Sequence, residues 1–387
     1  MKKIMKREWL DFIKQQEGII ALAAHKKPKK PIMSWVCTYT PLEIIIAAGF
    51  YPYRLLPAHI DPSLANSYLD SNFCPYVRSC LGEGLTKKSA YLDNLIIGNS
   101  CDAMRRLYDA WRHYVPGSFI YLLDLPRNNS PKALEYYQYN LQRLIEELES
   151  RFAIKISEDL LYQAILVSNK TRKLLTELSH LYAKERISIS ATEFLQIIQE
   201  GMISPPEEYN IFLGKFLDDL KKEENILLTD SQIKDRPKVL ISGTVMDNLE
   251  IARVIEDCGG KVVFVDMCTG ERYFSEPITL GETKRSRSDL LRLIAEYYLN
   301  KVPCPRMVNL EKRWTYLLKV IKDYEVKGVI FYNLKFCDTS MFELPVIRER
   351  LQKSGIPTLC LEGEFASAIS GGLKTRIQAF MEVLEFV

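Results

Sequence analysis

Nine cysteines, at positions 37, 74, 80, 101, 258, 268, 304, 337 and 360, are the residues of this chain with the most chemical capacity. Their number is odd, so complete internal pairing is impossible. In a reducing compartment the readings left to them are metal binding, catalysis and plain burial. Cys37, Cys101, Cys268 and Cys337 fall at or just beyond the carboxyl ends of predicted parallel strands, the edge where the loops of an open α/β sheet converge on a crevice. Cys74 (NFCPY) and Cys304 (VPCPR) lie in proline-flanked loops. A thiol must ionise to bind metal and so needs a positive local field. Cys37 and Cys101 each precede or open a predicted helix, where free backbone N–H groups and the helix dipole favour negative charge. Iron–sulfur clusters take cysteines from several loops in this way. Four strand-end positions with two loop positions therefore point to a cluster rather than to coincidental burial. Zinc is the nearest competitor, but no CxxC pair and no local Cys/His spacing starts a zinc site. Cys258 ends a helix, Cys360 lies within an apolar strand, and Cys80 lies in a segment that fits no clear element.

Two regions must position these residues. From about 31 to 129, short apolar runs alternate with amphipathic stretches, the signature of βαβ units. Strands are expected at Ile32–Val36, 53–56, 95–97 and 119–123. A helix opens near Thr40 and closes at Gly49, and another follows Gly98 (CDAMRRLYDAWRHY). From about 236 to 387 the alternation is clearer. Strands are expected at 239–242, 261–266, 328–332 and 358–361, and helices at 247–257, 288–299, 310–324, 341–353 and 375–386. Between them, 130–235 has long helical periodicity and almost no strand signal. The fold class is α/β: two flavodoxin-like parallel-sheet units joined by a helical connector, with an N-terminal helical segment over 1–30. No fixed-period repeat is apparent.

The remaining features narrow the function. A net charge of +3, from 52 basic and 49 acidic residues, gives no reason to propose a nucleic-acid partner. The run Lys26 to Lys30 (KKPKK) reads as a solvated linker. No stretch approaches a membrane span. Charges run through the N-terminal MKKIMKREWLDFIKQQ, which fits an amphipathic helix rather than a secretory signal, so a cytoplasmic location is expected. There is no GxGxxG and no Walker loop, so ATP chemistry is expected elsewhere. The histidines at 25, 59, 113 and 180 are scattered and suggest no triad. Trp35, Tyr39 and Trp111 flank the cysteine loops, where they either seal a site from water or simply pack.

Taken in order, CTYTPLEIIIAAGFYPYRL, SNFCPYVRS, NSCDAMRRLYDAWR, VVFVDMCTGERYF, YLNKVPCP, VKGVIFYNLKFCD and IPTLCLEGEF resemble the 2-hydroxyacyl-CoA dehydratase and benzoyl-CoA reductase family. GGLKTRIQAFMEVLE is similar to the family's closing helix, although Gly372 stands where the family often has Gln. The resemblance runs from about Trp35 to Phe386. It implies an iron–sulfur subunit of an anaerobic lyase or oxidoreductase, with a [4Fe-4S] cluster held by Cys74, Cys101 and Cys337. Electrons would come from a separate ATP-hydrolysing iron–sulfur activator. The substrate would be an acyl-CoA thioester, dehydrated through a ketyl radical or reduced, and the partner a homologous second subunit. Cys37, Cys268 and Cys304 resemble positions that, in a related branch of homodimers, help bind a double-cubane [8Fe-9S] cluster for ATP-dependent reduction of small molecules. A third reading is a non-catalytic electron-transfer or scaffold protein. Glu43 stands one turn beyond the Cys37 loop, as an acid or base or as a first-turn dipole partner. Arg272 would hold a CoA phosphate or a carboxylate, or form a surface pair.

Overall fold

Eight short runs of Val, Ile, Leu and aromatic residues form strands in the computed structural model, which describes residues 29–86, 92–117, 119–227, 236–281 and 285–386. The helix expected over 1–30 lies outside them save for its last two residues. Strands β1 (Ile32–Val36), β2 (Tyr51–Arg54), β3 (Asn94–Asn99) and β4 (Phe119–Asp124) form one parallel sheet in the order β2-β1-β3-β4. Strands β5 (Lys238–Gly243), β6 (Lys261–Asp266), β7 (Gly328–Leu334) and β8 (Thr358–Gly363) form a second, in the order β6-β5-β7-β8. Every pairing in both is parallel. In the second sheet the central strand β7 and the edge strand β6 are buried throughout and β5 at all but its first residue, as parallel strands covered by helices must be. The two sheets thus repeat one topology that no sequence period announces.

In the first unit α1 (Leu42–Ala47) follows β1, α2 (Pro75–Thr86) precedes β3, and α3 (Asp102–Tyr114) follows it. The connector consists of α4 (Pro131–Phe152), α5 (Glu158–Ala183), α6 (Ala191–Ile203) and α7 (Pro206–Leu227). Ser130, Ser157 and Ser190 cap the first three of these, each accepting a backbone N–H that the helix leaves unbonded. The second unit adds α8 (Glu250–Asp257), α9 (Arg287–Asn300), α10 (Leu310–Asp323), α11 (Asp338–Lys353) and α12 (Gly371–Leu384). Helix α5 packs on both α1 and β6, and α4 packs on both β4 and α9. One continuous apolar core consequently runs through both sheets and the connector. Among the described residues, no helix is long and apolar enough to cross a membrane.

The segment around Cys80, unassigned from sequence, is helix α2. Its glycines explain the weak signal, because they lower helix propensity. They also permit close packing: a Cβ on Gly82 would lie 2.9 Å from Ile60, and one on Gly84 2.8 Å from the Trp111 ring.

Candidate metal centre

Cys37, Cys74, Cys101, Cys268, Cys304 and Cys337 all line one cavity between the carboxyl edges of the two sheets, with a water-accessible volume of about 90 Å³. Three of them stand at helix starts. Cys74 immediately precedes Pro75 of α2, and its carbonyl accepts the Arg78 N–H at 3.2 Å. Cys101 is the N-cap of α3 and Cys337 the N-cap of α11, and neither uses its side chain to cap. Their sulfurs are therefore left beside backbone N–H groups without intrahelical partners. Burial pushes the Cys74 thiol above its usual range, against the pull of the Val77 and Tyr76 N–H groups. Burial raises Cys101 to about 11, opposed by the N–H groups of Met104 and Ala103. Cys337 is likewise raised by burial, and Thr339 and Ser340 oppose it.

The other three thiols come from tighter loops. Cys37 has a φ of 76°, a left-handed conformation costly for a residue with a Cβ, and Phe336 beside Cys337 has a φ of 58°. Strain of this kind gathers where a side chain must be aimed. The Cys268 N–H donates to Thr244 O at 2.9 Å. Cys268 and Cys304 are coupled through one hydrogen bond, which with Arg272 and Arg306 holds Cys304 below its usual range while Cys268 is pushed up.

Arg272 forms no surface pair; the carboxylate it holds is that of Asp266. It is buried, and donates through Nε and Nη2 to the Asp266 carboxylate at 2.7 and 2.9 Å and through Nη1 to Gly243 O at 2.8 Å. Arg313 donates to Ser242 Oγ at 3.0 Å, to Glu343 at 3.0 Å and to Pro303 O at 3.2 Å, and also pairs with Asp266. Burial alone would raise Asp266, but the two guanidiniums hold it below the usual carboxylate range. This network ties the ends of β5 and β6 to the loop of Cys304 and to α11, fixing three cysteines at once. Lys301 joins the halves: its ammonium donates to Thr38 O at 2.6 Å and Arg272 O at 2.8 Å, beside Cys37 and Cys268 respectively, and burial lowers it to about 7.

Glu43 is buried but does not line the cavity. Its carboxylate pairs with Arg172 of α5 and accepts the Tyr298 hydroxyl at 3.0 Å. Cys80, Cys258 and Cys360 also lie off the cavity wall.

Sequence reasoning passed over Arg54 and Arg306 on that wall. Both are buried, and Arg54 Nε and Nη1 and Arg306 Nε have no hydrogen-bond partner. Such donors cost free energy unless something in the cavity accepts from them. Among the described residues, no three His, Cys, Asp or Glu side chains converge closely enough to hold a single metal ion. Six thiols spread around one cavity, with spare cationic donors between them, suit instead an anionic group whose several metal atoms each take a separate thiolate.

A family model described as 2-hydroxyglutaryl-CoA dehydratase, D-component, matches residues 37–384. The chain is 28% identical over 379 residues to YjiM of Escherichia coli (strain K12), covering 96% of each chain. It is 26% identical to one of the benzoyl-CoA reductase subunits of Thauera aromatica, across 85% of this chain and 84% of the relative. It is 23% identical to the (R)-phenyllactyl-CoA dehydratase beta subunit of Clostridium sporogenes, across 89% and 90%.

Proposed function

The chain belongs to the 2-hydroxyglutaryl-CoA dehydratase D-component family, and from that premise we propose that it is the iron–sulfur subunit of a 2-hydroxyacyl-CoA dehydratase or benzoyl-CoA reductase type of enzyme. In this reading Cys74, Cys101 and Cys337 hold a [4Fe-4S] cluster. A separate ATP-hydrolysing activator supplies electrons, and a homologous subunit or a second copy completes an enzyme for an acyl-CoA thioester in a reducing, anaerobic cytoplasm. The observation that carries it is the arrival of these three cysteines, from three helix N-termini, on one cavity wall. Two of the relatives act, by their names, on CoA thioesters. When bound, such a cluster supplies single low-potential electrons and, at an iron not held by cysteine, a Lewis acid for a substrate oxygen.

The chain's own residues then have defined tasks. The N–H groups of α2, α3 and α11 offset thiolate charge. Lys301 and the Asp266 network fix the loops. Tyr39, buried with Lys301 and Arg306 over its ring, keeps water from the back of the site. Glu43, engaged by Arg172 and Tyr298, anchors α1 behind the cavity wall.

One observation favours a second reading. The cavity wall carries six cysteines rather than three, and a double-cubane [8Fe-9S] group of a homodimeric small-molecule reductase would use Cys37, Cys268 and Cys304 equally. Iron and acid-labile sulfide per chain, measured on strictly anaerobic protein with EPR of the dithionite-reduced sample, separates the two. About four irons supports the single cubane and about eight the double. Protein that stays colourless after anaerobic reconstitution would overturn both.

A further inference from the structure

Arg54 ends the edge strand β2 opposite Trp35, is only 1% exposed, and stacks its guanidinium over the Trp35 ring at 4.5 Å. Stacking satisfies the face of the guanidinium but not its in-plane N–H groups. Nε and Nη1 have no acceptor, and the residue lines the cysteine cavity. Arg306 differs: its Nη1 and Nη2 donate to Pro126 O at 2.9 Å and Leu125 O at 3.2 Å, and only Nε is left over. Arg272, the third arginine of the wall, is neutralised by Asp266. The wall therefore holds two buried cations with donors to spare, beside six sulfurs and away from bulk water. A buried guanidinium is stable where an anion accepts from it.

We propose that Arg54 donates its Nε–H and Nη1–H to the anionic sulfur-bearing group held by the cysteines, with Arg306 Nε–H as a second donor, and that Arg54 thereby sets how readily that group is reduced. The inference rests on the iron–sulfur reading above and adds residues which that reading does not use. One electron from the activator adds one negative charge to the group. A fixed cation with two N–H donors in a water-poor cavity stabilises the product of that step more than its reactant, and cluster potentials respond to net charge and to hydrogen bonds at the sulfurs.

The test uses the full chain, purified anaerobically without substrate, as wild type, Arg54→Met and Arg54→Lys. Iron per chain, the midpoint potential from EPR-monitored redox titration and the melting temperature of each apoprotein are measured. The expected result is that Arg54→Met lowers the equilibrium constant for reduction roughly tenfold, about 59 mV for one electron. Arg54→Lys, which keeps the charge but not the fork, should fall between. The Met apoprotein should melt no lower than wild type, because a buried cation without an acceptor has been removed. A variant that melts normally but loads no iron supports the contact as well. An unchanged potential at full iron content overturns the proposal and leaves the iron–sulfur reading standing. So does an apoprotein melting well below wild type, the mark of an arginine that serves only the fold. Wild-type protein that takes up no iron overturns the reading beneath.

Discussion

In the first sheet the first and third strands deliver cysteines, Cys37 and Cys101; in the second, of the same strand order, the second and third strands do, Cys268 and Cys337. The crossover between second and third strands carries a Cys-Pro pair in each, Cys74-Pro75 and Cys304-Pro305. After the first strand of the second sheet stands Thr244, whose carbonyl and hydroxyl hold the N–H groups of Cys268 and Leu334. The halves thus match at two cysteines and exchange the third. They also differ in what holds the loops. In the first half the helix starts and apolar packing do so, with the Glu43–Arg172 pair buried behind them. In the second a network of Asp266, Arg272, Arg313 and Glu343 does. One topology sets where the cysteines emerge, and quite different forces can seat them there.

The sharpest way to break this comparison is at the matched positions. Cys101→Ala and its counterpart Cys337→Ala should each remove the iron and the brown colour entirely, read by metal analysis and EPR. If Cys304→Ala keeps its full iron while Cys74→Ala loses it, the equivalence of the two Cys-Pro loops fails and the single cubane gains.

Next in size is the buried ion pair of the first half. Arg172→Met leaves the buried Glu43 carboxyl without its partner guanidinium, and should cost about 3–5 kcal/mol of unfolding free energy in urea titrations of the apoprotein. A loss under about 1 kcal/mol would mean that Tyr298 alone suffices and that packing, not charge, seats α1.

The smallest effect belongs to the second half. Glu271 is buried, accepts from the Val265 N–H at 2.9 Å, and is pushed by burial from 4.5 to about 8. Between about pH 4.5 and 8 the folded state keeps a proton that the unfolded state has lost, so stability falls as pH rises through that window. The slope from this one group is at most about 1.4 kcal/mol per pH unit. Glu271→Gln should flatten it, as measured by urea unfolding at several pH values. Identical slopes in the two proteins would show that the carboxyl is ionised when folded.

Much of this architecture was legible in the sequence, and the parts that were not have physical reasons. The runs VVFV and VIFY are apolar at every position because both sheet faces are covered, and β5 to β8 lie where expected. The second strand lies at 51–54 rather than 53–56, since Pro52 on an edge strand obscures its start. The closing helix begins at Gly371 because Ser370 caps it, a signal that the paired glycines masked. Four strand-end and two proline-flanked loop positions led to six cysteines that share a cavity. Sequence could not anticipate the partners of Arg272, Asp266 and Gly243, which lie 6 and 29 residues away, nor the Arg54 donors, which become conspicuous only where burial without a partner is visible.

The clip formed by Lys301 has a consequence for how such a protein is made. Cys37 and Cys337 are 300 residues apart in sequence, and Lys301 holds the Cys37 loop against the loop of Cys268. The first half is synthesised and can begin to fold long before the second exists. At that stage three thiols face an open edge with no opposite wall. The pocket comes into being only when the last strands have joined their sheet and the ammonium has found both carbonyls. On the proposed iron–sulfur reading, metal uptake would then be a terminal event of biogenesis, and metal content would report whether the two halves have met.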